Sequence, residues 1–146
     1  MIEVTGNLWT YPADVRVITT NGSIRIDGKA VMGRGCAFEA TQRFPLLQKR
    51  LGYALLCDGN HVHLVEEDLL TFPVKHEWRQ TASLSLIEQS ARELAIIVDY
   101  REFGGQPWNV IVLPRPGCGN GGLQWSDVRK VIAPILDDRF HVITFE

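Results

Sequence analysis

Along the chain, apolar positions alternate with polar ones in some stretches and recur every three or four residues in others. Residues 13–20, ADVRVITT, alternate and are rich in β-branched side chains, which predicts a strand. Residues 2–5 alternate more weakly, stop at Gly6-Asn7 and predict a first strand. Residues 110–113 form a short apolar run suited to a fully buried strand, and residues 69–72 form another, ended by Pro73. A last strand is expected over residues 140–145. Helical spacing is clearest over residues 83–100, where Leu84, Ile87, Ala91, Leu94, Ala95 and Val98 fall on one face before Gly104, Gly105 and Pro107. Residues 126–137 place Val128, Val131, Ile132, Ile135 and Leu136 together, with Ser126 as the N-cap and Pro134 expected to kink or end the helix. Residues 36–43 carry no breaker before Phe44-Pro45, and residues 46–51 predict a further helical turn before Gly52. Asn21-Gly22 and Asp27-Gly28 mark turns that bracket a short hairpin. Asp58-Gly59-Asn60, between residues 53–57 and 61–65, predicts a second hairpin.

Strands alternating with helices imply an α/β fold with helices on both sides of a mixed sheet, and ligands in such folds sit beyond the carboxyl ends of the strands. Two loops compete for that place, residues 21–35 and residues 114–125. The later one lies in NVIVLPRPGCGNGGLQW, residues 109–125: a strand, two prolines, four glycines and the start of a helix. Such a loop can gather backbone N–H groups around phosphate oxygens; it can also be only a long turn. Gly117, Gly119 and Gly122 satisfy GxGxxG, yet a dinucleotide-binding domain fits badly, because that fingerprint follows the first strand and only one helix and one strand remain here. No Gly-Lys-Ser/Thr follows, which excludes a P-loop. Glycines suit a backbone that must approach a diphosphate closely, and Asn120 tolerates a left-handed turn. The earlier loop, Val31-Met32-Gly33-Arg34-Gly35-Cys36-Ala37, leads into a helix whose free N–H groups favour anions. Together the two loops suggest a ligand with a diphosphate and a sugar.

Composition narrows the setting more than the chemistry. The 146 residues are 45% hydrophobic and 22% charged with a formal net charge of −2, so no global basic field draws the chain to nucleic acid, and any such contact must be local. No apolar run is long enough to span a bilayer, and MIEVTGNLW lacks the layout of a signal peptide. Three scattered cysteines, Cys36, Cys57 and Cys118, argue for a reducing compartment and against a disulfide framework or a metal site. The expectation is a cytoplasmic, monomeric single domain over residues 1–146 with no membrane contact.

Lys75 follows a predicted strand end in FPVKHEWR, residues 72–79. It reads either as a solvated lysine or as a nucleophile, and the second role needs a deprotonated amine. Cys118 with His76 as base is a second nucleophile candidate, set against a small buried loop cysteine. Trp78 and Trp125 are expected in the core, with base stacking as the other reading. Asp14, Asp27 and Asp127 show no pairing that spacing establishes.

These segments resemble the macro domain family, the ADP-ribose-binding α/β/α fold, across nearly the whole chain. Within it the chain is similar to the branch of DarG-like proteins and terminal ADP-ribose glycohydrolases. Val4-Thr5-Gly6-Asn7-Leu8 resembles the opening strand and turn. Thr20-Asn21 with VMGRGCA resembles the first ligand loop, written VMGKGIA in DarG-like proteins; FPVKHEWR is similar to FPTK…WR, and GCGNGGLQW to GCGNGGLDW. The resemblance implies a three-layer α/β/α fold around a central mixed sheet. It implies ADP-ribose binding by Asn7, Leu8, Thr20 and Asn21, by Met32, Gly33, Arg34, Gly35 and Cys36, and by Pro114, Gly117, Cys118, Gly119, Asn120, Gly121, Gly122 and Leu123. It further implies that Lys75 is the catalytic lysine, whose amine attacks the anomeric carbon, that Asn21 holds the distal ribose, and that no metal or cofactor takes part.

As substrates the resemblance implies ADP-ribosylated DNA bases, thymidine-linked and presented in single-stranded DNA. The alternatives are ADP-ribosyl-glutamate on proteins, or ADP-ribose held by a non-catalytic reader. Three departures bear on this. Gly121 stands where other members of the branch carry an aspartate, a change that DarG-like loops share. Residues 22–30 are inserted in the first loop. Asn7 replaces an adenine-binding aspartate, so it can accept only without charge assistance.

Overall fold

The computed structural model describes residues 1–145. Six strands form one sheet in the order β1-β6-β5-β2-β4-β3: β1 (Ile2–Thr5), β2 (Val15–Asn21), β3 (Leu64–Glu66), β4 (Leu69–Lys75), β5 (Ile111–Pro114) and β6 (Phe140–Thr144). Every neighbouring pair is parallel except β3 and β4, so the sheet is mixed and five strands end on the same edge. Helices α1 (Gly35–Arg43) and α2 (Leu47–Asp58) cover one face, and α3 (Leu84–Phe103) and α4 (Trp125–Ile132) cover the other. The strand alternation decides which side chain enters which layer. Val15 and Val17 of β2, with Leu70, Phe72 and Val74 of β4, pack under α3 and α4. Ile18 and Leu69 pack under α1 and α2. Both faces of the inner strands are buried, which is why they read as continuous apolar runs. The three-layer α/β/α expectation holds.

Several boundaries move, one of them with consequence. Residues 53–57 are not a strand: they continue α2, which runs through Gly52 to Asp58. Leu47, Leu51 and Leu55 recur every four residues and are buried, so a helical face was already written there. Gly59, at φ +87°, ends that helix rather than making a hairpin turn. Gly52 is tolerated mid-helix because the Gly28 carbonyl lies where its Cβ would be. The insert at residues 22–30 docks on α2 there, with Ala30 N–H on the Gln48 carbonyl at 2.9 Å and one Ile24–Ala30 bridge. Ser126 does not cap α4; Gln124 holds that position without a side-chain bond, and the helix stops at Ile132, two residues before Pro134. Ser83 caps α3, its side chain accepting from Leu86 N–H.

The end of β4 is irregular in a way that matters for the site. Thr20 pairs with Pro73 and Asn21 with Lys75, so Val74 is an extra residue and the strand bulges. Non-ladder donors take the three successive carbonyls there. Ser90 Oγ bonds Pro73 at 2.7 Å, Ser83 N–H bonds Val74 at 2.9 Å, and Asn60 Nδ2 bonds Lys75 at 3.0 Å.

Candidate active site

The parallel strands bring Asn21, Lys75 and Pro114 to one edge of the sheet, as the last residues of β2, β4 and β5. Lys75 is half-buried, and its Nζ lies 3.4 Å from the carbonyl oxygens of Trp78 and Asn120. The side-chain nitrogen is thus held between the loop that follows its own strand and the glycine-rich loop after β5. No carboxylate pairs with it among the described residues, which leaves the side-chain nitrogen open at the seam of two loops.

The first loop closes on α1. Its N-cap, Arg34, makes no side-chain bond and no acid sits in the first turn, so the leading N–H groups keep their affinity for an anion. Gly35 turns in at φ +59°, and a Cβ there would lie 3.4 Å from Asn120 Nδ2, which puts the two loops in contact. Asn21 supports this loop with both ends of its amide: Nδ2 donates to the Val31 carbonyl at 3.1 Å, and Oδ1 accepts from Ser23 N–H at 2.9 Å. Ser23 Oγ accepts in turn from Trp78 N–H at 3.0 Å, tying the insert to the Lys75 loop.

The late loop is built by glycines with different tasks. Gly117, at φ +74°, has no room for a side chain against Ile87 and Ala82. A Cβ on Gly121 would stand 2.5 Å from the Gly117 carbonyl oxygen and 2.8 Å from the Ala82 Cβ, while the Gly121 carbonyl accepts from Ala82 N–H at 3.0 Å. No aspartate fits there in this conformation, so the missing carboxylate is a property of the loop. Gly33 and Gly119 differ from these. Neither has a left-handed φ, both are exposed, and a Cβ on either would meet nothing within 4 Å. The fold itself does not require glycine at these two positions.

Other predicted residues land less directly. Leu8 and Met32 are core side chains under α1 and α2, and the Leu8 carbonyl is taken by Arg16 Nε at 2.9 Å. Thr20 is buried. Asn7 follows β1 on the same edge, exposed, its Oδ1 accepting from Trp9 N–H at 2.8 Å. Leu123 and Cys118 pack against the α3–α4 core. Burial pushes the Cys36 thiol up, and it lies 3.4 Å from Thr19 Oγ1; burial raises Cys118 as well, so neither is poised as a thiolate. Trp78 departs from the core expectation: it is 48% exposed, with the Arg79 guanidinium 5.6 Å from its ring centre. Trp125 packs partly on the core and donates to Glu3 Oε1 at 2.9 Å. Asn60 and Ser23 escaped the sequence reading, the first because DGN resembles a hairpin turn. A separate cavity of about 230 Å³, lined by Trp9, Arg16, Arg43, Phe44, Asp68 and Leu69, lies by the amino ends of β2 and β4, away from the edge where such sheets bind ligands.

No family model matches the chain. Among solved structures it is similar to the macrodomain of Mycobacterium tuberculosis DarG, with a TM-score of 0.79 and 26% identity over 99% of this chain and 97% of that one. The fold is that of a DarG-type macrodomain. The Thermus aquaticus DarG macrodomain agrees, with a TM-score of 0.77 and 26% identity over 99% and 97% of the two chains. Among curated relatives, a DNA ADP-ribosyl glycohydrolase of Thermus aquaticus is 26% identical over 146 residues, covering 92% of this chain and 37% of that protein. The macrodomain therefore spans about a third of the length of the curated relatives it matches. No helix among its described residues is long and apolar enough to cross a membrane.

Proposed function

We propose that this chain is an ADP-ribosyl glycohydrolase that removes ADP-ribose from modified DNA bases, thymidine-linked, with Lys75 acting at the anomeric carbon. The position of Lys75 carries the reading: its Nζ stands 3.4 Å from the Asn120 carbonyl, at the seam of two glycine loops. The diphosphate would lie over the backbone amides of residues 33–36 and 117–122, where a helix N-terminus and preorganised donors favour negative charge. Gly33 and Gly119 fit this arrangement, because the open space at each suits close approach by phosphate oxygens. Asn21 would act by shaping the loop beside the distal ribose. Similarity to a DNA ADP-ribosyl glycohydrolase supports the substrate class. The substrate would be ADP-ribosylated single-stranded DNA, met locally by exposed Arg34 and Arg79, since the chain as a whole carries a charge of −2.

In the step proposed, the deprotonated Lys75 amine forms a C–N bond to the anomeric carbon as the bond from that carbon to the base breaks. The electron pair of the broken bond goes to the base, and the proton shed by the amine neutralises it. Water then hydrolyses the lysine–sugar adduct, releasing ADP-ribose and restoring the amine. With glycine at position 121 the loop brings no carboxylate, so the lysine carries the chemistry.

The test is hydrolysis of thymidine-linked and glutamate-linked ADP-ribose side by side. The parent should cleave the thymidine linkage faster, and Lys75→Ala should lose about a hundredfold or more of that rate. Parent-like cleavage by Lys75→Ala removes the catalytic assignment. Tight ADP-ribose binding with no turnover on either linkage makes the protein a reader instead.

A further inference from the structure

The turn between α2 and β3 carries Asn60, whose amide ends against the backbone of Lys75. Its Nδ2 donates to the Lys75 carbonyl at 3.0 Å, while its Oδ1 is buried with no hydrogen-bond partner among the described residues. The opposite flip would set oxygen against oxygen at the Lys75 carbonyl, which fixes the assignment.

Where β4 bulges at Val74, the strand end leaves its register with β2, and Asn60 Nδ2 supplies the donor for Lys75. Gly22 leaves the room: a Cβ there would meet Asn60 Cγ and Nδ2 at 2.9 Å and the His76 carbonyl at 2.7 Å. The turn is itself clamped. Gly59 N–H bonds the Leu55 carbonyl at 2.9 Å, and His63 Nε2 donates to the Gly59 carbonyl at 2.9 Å. Glu93 on α3 accepts from Val62 N–H at 3.0 Å and from His61 Nδ1 at 2.8 Å.

We propose that Asn60 is a positioning residue for Lys75, fixing the backbone from which the amine reaches the anomeric carbon. This rests on the catalytic reading of Lys75. Asn60 touches neither the proposed ligand loops' free amides nor the amine itself; it acts through the Lys75 carbonyl.

The experiment compares parent, Asn60→Ala, Asn60→Asp and Lys75→Ala. The readouts are kcat on thymidine-linked ADP-ribose, calorimetric Kd for free ADP-ribose, and thermal melting. A small misplacement of a reacting group costs rate more than ligand affinity, so Asn60→Ala should lose about tenfold or more in kcat with Kd changed by less than about twofold. In Asn60→Asp an ionised carboxylate opposes the Lys75 carbonyl, whereas the protonated acid donates to it as Nδ2 does. Its rate relative to the parent should therefore rise as pH is lowered, and this ratio decides the matter if Asn60→Ala fails to fold. A parent-like kcat in Asn60→Ala, equal losses in kcat and affinity, or an Asn60→Asp ratio flat with pH overturns the proposal. Lys75→Ala separates the two failures. If it keeps the parent rate, the lysine assignment falls and this inference with it; if it loses the rate while the Asn60 variants keep theirs, only this inference falls.

Discussion

Gly119 and Gly121 are two residues apart and demand opposite things of a side chain. At Gly121 an added methyl runs into the Gly117 backbone and Ala82, so Gly121→Ala should cost about 1–3 kcal/mol of stability from overpacking, read as a lowered melting temperature. At Gly119 it meets no protein atom, so Gly119→Ala should melt like the parent yet bind ADP-ribose several-fold more weakly by calorimetry. Parent-like ADP-ribose binding by Gly119→Ala would show that the open space at Gly119 is not kept for a ligand. The glycine-rich loop was legible in the sequence because glycine density between a strand and a helix is a local signal. Its division of labour was not, since only neighbours distant in sequence, such as Ala82 and Ile87, distinguish one glycine from another.

Among the elements, the hairpin predicted over residues 53–65 gives way to the end of α2, and the reason is physical. Asp58-Gly59-Asn60 carries the composition of a hairpin turn, but the leucines before it repeat at a helical spacing, and their burial outweighs the local turn preference. The same turn presents Asn60 to the Lys75 carbonyl, a contact that its hairpin-like composition conceals. Glu93 holds this turn from α3. Burial acts to raise its carboxyl, but the bonds from Val62 N–H, Gln89 and His61 outweigh burial and leave it below the usual range. A carboxyl depressed in the folded state binds fewer protons there than when unfolded. Its contribution is present above the unfolded pKa and is lost as pH falls through the folded one. Glu93→Gln should therefore melt below the parent at neutral pH, with the gap narrowing as the solution is acidified. A gap that stays constant with pH would mean that the Glu93 charge does not support the turn.

At the scale of the molecule, parallel strand order does the assembling. Five strands ending on one edge bring together Asn21, Lys75 and Pro114 from distant parts of the chain, and the loops behind them meet at Gly35 and Asn120. The alternation of strands and helices, with glycine-rich turns after two strands, made this architecture legible. The β4 bulge was not legible, because it depends on carbonyl partners contributed by Ser83 and Ser90 of the capped α3 and by Asn60 of the α2–β3 turn. If the Lys75 amine reaches the anomeric carbon of bound ADP-ribose, as proposed, a covalent adduct forms during turnover and can be trapped. The most direct measurement is mass spectrometry of the parent protein quenched with borohydride during turnover of thymidine-linked ADP-ribose. A reduced sugar adduct is expected on the peptide containing Lys75, absent from Lys75→Ala. Turnover at the parent rate with no adduct on that peptide would contradict it.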